Sequence, residues 1–151
     1  MNLLSLYQSK KVIYFNFLMA LLPASFIAGN MIININVILI ILSTIFIFKN
    51  DFFKIKYYSI DVLIFAYFFL IIITGIINDY NLSEVPWRAN FATTIKSLLF
   101  LKYLLLYISL RLLIENRILN FRSFFISCLL TSIFVCFDIF YQLFNGKDIF
   151  G

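Results

Sequence analysis

Apolar residues in this chain come in five long runs: Val12 to Ala28, Met31 to Phe48, Ile60 to Ile77, Ile95 to Ile114 and Phe124 to Phe144. Each approaches the ~20 residues that an α-helix needs to cross the hydrocarbon core of a bilayer. A lipid-embedded segment must satisfy its backbone polar groups internally, so runs of this length become helices. Composition points the same way: 64% of residues are hydrophobic and 13% charged, where a soluble domain has roughly 45–50% and about 25%. That balance cannot coat a water-facing surface. The expected fold is therefore all-α: an integral membrane helical bundle of about five transmembrane helices, forming a single transmembrane domain over residues 1–151.

Several function classes drop out at once. The formal charge is +5, but Lys and Arg are scattered between apolar runs and make no continuous basic stripe, which argues against a nucleic-acid partner. There is no histidine, which removes the commonest general base and metal ligand; no metal site and no cofactor is expected. Cys128 and Cys136 lie in one run, roughly 12 Å apart along a helix axis, too far for a disulfide.

Lys10 and Lys11 before the first run imitate the head of a signal peptide, but cutting after Ala28 would put Phe26 where a small residue is required. A retained helical hairpin is expected instead. Gly29 and Asn30, which both tolerate positive φ, supply its turn, Pro23 is expected to kink the first helix, and Asn34 and Asn36 should sit near the turn. The most polar stretch, Asn78 to Thr94, carries Asp79, Glu84, Pro86, Trp87 and Arg88. Basic residues alternate along the chain: Lys10 and Lys11, then Lys49, Lys54 and Lys56, then Arg111, Arg117 and Arg122, with Lys147 beside Asp148 in the tail. The positive-inside rule puts the N-terminus and the even-numbered connections in the cytoplasm and the C-terminus outside, in the periplasm of a bacterial inner membrane. Treating Val12 to Phe48 as one span would put the first two Lys clusters on opposite faces, against this pattern.

Ionisable side chains inside a span are functional candidates by default. Lys102 lies seven residues into run four and Asp138 six residues from the end of run five, so both sit roughly 9–10 Å below the outer face. Equal depth lets them pair or line a polar cavity. The competing reading has Lys102 snorkelling to the interface and Asp138 facing the wet end of the bundle. Lys96, Trp87 and Arg111 are expected as interface anchors, Ser109 as a helix-packing hydroxyl, and Tyr103 with Tyr107 as an i, i+4 packing pair.

Two stretches, LLPASFIAGN from Leu21 to Asn30 and DIFYQLFNGKDIFG from Asp138 to Gly151, resemble the beginning of the bacterial O-antigen ligase and polymerase family. The second is the more specific. An Ile-rich second helix, here Ile35 to Phe48, also follows the family's order. The resemblance implies a polytopic enzyme of cell-surface polysaccharide and lipopolysaccharide biosynthesis that transfers glycan from an undecaprenyl diphosphate carrier. It further implies that this chain is an N-terminal fragment, because family members continue into a large periplasmic loop bearing the catalytic histidine. No catalytic residue is therefore expected within these residues. Members often carry an arginine in the fourth helix where this sequence has Lys102, so the resemblance makes Lys102 a contact to the diphosphate, with Asp138, Tyr141 and Gln142 as polar neighbours. The alternatives are part of a polysaccharide flippase or other transporter, whose path Lys102 and Asp138 would line, or a small non-catalytic membrane protein.

Overall fold

A computed structural model of the chain describes residues 3–49, 55–81 and 91–146, with side chains from Lys10 onward. Lys54, Glu84, Pro86, Trp87, Arg88, Lys147 and Asp148, and the end of the DIFYQLFNGKDIFG stretch, lie outside the described residues. All regular structure among the described residues is helical: α1 (Leu3–Ala28), α2 (Asn30–Ile47), α3 (Ser59–Asn81), α4 (Ala92–Glu115) and α5 (Phe121–Asn145). Each of the five contains a stretch long and apolar enough to cross a membrane. Among the described residues α5 buries none of its own, and Phe137, Phe140 and Leu143 on it are exposed. Such a surface would aggregate in water but is ordinary against lipid tails. The protein is a multi-pass helical membrane protein.

The helix ends follow from local chemistry. At the α1–α2 turn Gly29 takes φ 106°, and its carbonyl accepts from Ile32 N and Ile33 N at 3.1 and 3.2 Å; Asn30 is already helical. α1 passes through Pro23 as one helix. α4 closes with the paired bonds of a Schellman motif, Ile118 N to Leu113 O at 3.0 Å and Arg117 N to Ile114 O at 2.9 Å, with Leu113 and Ile118 both buried. This motif normally places glycine in the left-handed position; here Arg117 occupies it at φ 53°. Asn120 caps α5 by accepting from Arg122 N, and Gly146 ends it in the left-handed conformation.

The chain forms two compact units, residues 1–43 with 113–151, and residues 44–112. In the first, α1 packs against α5, and Phe15, Leu18, Met19, Val37, Ile40 and Ile41 are buried. Polar side chains staple this unit. Asn16 donates through Nδ2 to Ile118 O at 3.0 Å and accepts at Oδ1 from Asn120 N at 2.6 Å, tying α1 to the connection that leads into α5. Ser127 of α5 donates to Ala20 O of α1. Between α1 and α2, Asn36 Nδ2 donates to Leu18 O at 3.2 Å, and the hydroxyls of Tyr14 and Ser43 lie 2.8 Å apart. Asn34 stays local, bonding to Asn30 O at 2.7 Å. Asn36 is thus a helix-to-helix contact as well as a residue near the turn.

In the second unit α3 and α4 run antiparallel. Three pairs mark one register from end to end: Asp61 with Arg111, Gly75 with Ser97, and Asp79 with Thr93. Gly75 permits the close approach in the middle. A Cβ there would overlap the Ser97 hydroxyl and come within 3.3 Å of the Thr93 carbonyl oxygen.

Candidate functional site

The polar chemistry of α3 and α4 gathers at the two ends of a charge-free stretch of α3. Asp61 and Asp79 are eighteen residues apart, with only uncharged residues from Val62 to Asn78 between them. At 1.5 Å per residue that is roughly 27 Å, close to the ~30 Å hydrocarbon thickness. The carboxylates therefore mark the two edges of the membrane-buried part.

Asp61 is the third residue of α3 and reaches back to the start of its own helix, accepting from Tyr58 N at 2.5 Å, while Asp61 N donates to Tyr58 O at 2.9 Å. The carboxylate thus supplies the acid's half of a capping box, satisfying the N-cap amide from the third helical position. The same carboxylate, 1% exposed, pairs with the Arg111 guanidinium and accepts from the Tyr107 hydroxyl at 2.5 Å. Arg111 also donates to Lys56 O and lies 4.7 Å from the Tyr58 ring centroid. Both carboxylate oxygens and both terminal guanidinium nitrogens in this cluster meet a partner, as a low-dielectric site favours. Arg111 is thus more than the interface anchor expected of it, and Tyr107 meets Asp61 while Tyr103 packs edge-on to Phe100 at 4.9 Å.

At the other end α4 begins after Phe91, whose side chain offers no capping acceptor. Asp79 supplies one from α3: its carboxylate accepts from Thr93 N at 3.1 Å, Thr94 N at 2.7 Å and the Thr93 hydroxyl. Two of the first orphaned amides of α4 are satisfied by a charge at the positive end of the helix dipole.

Lys102 lies nine residues from Thr93 and nine from Arg111 on α4, roughly 13–14 Å along the axis from each. It is therefore near mid-span, deeper than the run boundary alone suggests. It is half-buried, with Nζ 5.0 Å from the Tyr103 ring centroid. Ser109, on the same helix, is fully buried. On α5, Asp138 is half-buried and accepts from Gln142 Nε2 at 3.1 Å, while Tyr141 and Gln142 are exposed. The structure thus joins Asp138 to Gln142 and puts Lys102 in the other compact unit. Cys128 and Cys136 are both free. Among the described residues no three His, Cys, Asp or Glu side chains gather as a metal site would require.

Asp61, Tyr107 and Asn16 do not stand out in the sequence as members of polar contacts. One signal is present there: Asp61 and Asp79 share the spacing of Arg111 and Thr93, which is what complementary groups at both ends of an antiparallel pair require. No protein-family model, curated protein or solved structure matches the chain.

Proposed function

We propose that this chain is the N-terminal membrane region of a bacterial O-antigen ligase or polymerase, acting in the inner membrane on glycan carried by undecaprenyl diphosphate. The observation that carries the reading is Lys102, an amine held near the middle of a span. Such a charge costs about 2.5–3.5 kcal/mol on insertion scales, and intramembrane cations are retained where they meet a partner or line a substrate path. The resemblance of Leu21–Asn30 and of the stretch beginning at Asp138 supports a glycan-transfer enzyme as the owner of that lysine. Under this reading the Lys102 ammonium attracts the diphosphate as a point charge. The N-terminus and the basic connections face the cytoplasm.

Deleting the gene in its source bacterium tests the reading. A ligase loss leaves carrier-linked glycan accumulating and the lipid-A core bare; a polymerase loss leaves single repeat units on the core. Complementation with Lys102→Ala should fail and Lys102→Arg succeed. Unchanged surface polysaccharide in the deletion strain refutes the proposal.

A further inference from the structure

A cavity of about 560 Å³ runs along the seam of α3 and α4, within the roughly 300–1,000 Å³ typical of small-ligand sites. One wall is a helical stripe of α3 from Tyr67 to Asn78; the other is Thr93, Lys96, Ser97 and Phe100 of α4. Gly75 makes the floor, since its missing side chain lets the helices close beneath the groove. We propose that this groove binds one anionic bilayer phospholipid, with a chain along the seam and the phosphate on Lys96. This site is separate from the carrier contacts proposed above and does not rest on them.

Polarity and length together select such an occupant. Asn78, Thr93 and Lys96 cluster at one end, and Tyr67, Leu70 and Phe100 line the other. From Asn78 to Tyr67 is eleven residues, roughly 16 Å, which is about half the ~30 Å hydrocarbon core. The groove is therefore one leaflet deep, polar at the interface and apolar toward the midplane, the profile of a single lipid. The charge is also the right sign. Among the described residues the carboxylate at this end of the seam is Asp79, which is engaged by the Thr93 and Thr94 amides and the Thr93 hydroxyl and neutralises the start of α4, while the exposed Lys96 ammonium lies at the groove's polar end. A soluble phosphate would find the cation but leave the apolar length unfilled.

Native mass spectrometry of the full chain, extracted with phosphatidylglycerol and phosphatidylcholine of identical chains, tests this. The wild type should retain phosphatidylglycerol about fivefold better, the worth of one Lys beside an anionic headgroup, and should not retain glycerol phosphate. Lys96→Gln, at an exposed position, should abolish the preference while leaving chain binding; Leu70→Trp, which fills the groove, should reduce retention of both lipids. Preference unchanged by Lys96→Gln overturns the proposal, as does a homodimer carrying no lipid, which would assign the seam to a second copy. Retention of glycerol phosphate would reassign Lys96 to a free anion and equally overturn it.

Discussion

Replacing Asn16 with alanine removes the staple between α1 and the α4–α5 connection. The Asn16 amide makes two long-range bonds, to Ile118 O and from Asn120 N, besides a local one to Val12 O at 2.7 Å. Side-chain hydrogen bonds between membrane helices average about 0.6 kcal/mol and reach about 1.7, so losing both long-range bonds should cost about 1–3 kcal/mol. Asn16→Asp should fare no better: it keeps an acceptor for Asn120 N but turns an anion toward the Ile118 carbonyl oxygen. Thr131→Val is the control, because its hydroxyl bonds only locally to Ser127 O and such back-bonding contributes little to a helix. Reversible unfolding in mixed micelles measures the difference, and proteolysis between Asn116 and Asn120 should quicken in Asn16→Ala. Equal stabilities for Asn16→Ala and Thr131→Val would refute the idea that this amide ties the connection to α1.

Three further expectations test other contacts. Arg111→Met leaves the Asp61 carboxylate buried without its counter-charge and should lower the melting temperature; adding Asp61→Leu should restore part of the loss, since an apolar pair replaces a half-broken ionic one. Gly75→Ala should destabilise by about 1–3 kcal/mol through overpacking, and Ser97→Gly in the same chain should recover part of it in thermal unfolding. Arg117→Gly should stabilise by about 1 kcal/mol, because glycine carries no penalty at the left-handed position that Arg117 occupies at φ 53°.

The spans are legible in the sequence because bilayer thickness leaves almost no freedom. An apolar run near 20 residues has one stable solution in lipid, a helix, and its bounding Lys, Arg, Asn and Gly residues mark where that solution ends. Gly29 is such a case: two apolar runs that meet so closely need a residue tolerant of positive φ between them, and that need alone locates the turn. The matched spacing of Asp61 with Asp79 and of Thr93 with Arg111 is legible, but the place of Tyr107 beside Asp61, the use of Asp79 as the cap of α4 and the double role of Asn16 are not. These helices are apolar on nearly every face, so periodicity does not reveal which face turns inward. What sets the partners is the register and rotation of α3 against α4 and of α1 against α5, decided by close packing at Gly75 and by the cost of leaving any buried polar group unpaired. The sequence by itself determined that this chain crosses the membrane and roughly where; tertiary packing decided which of its few polar residues meet, because a charge or amide buried in lipid is costly unless a partner, however distant along the chain, is brought to it.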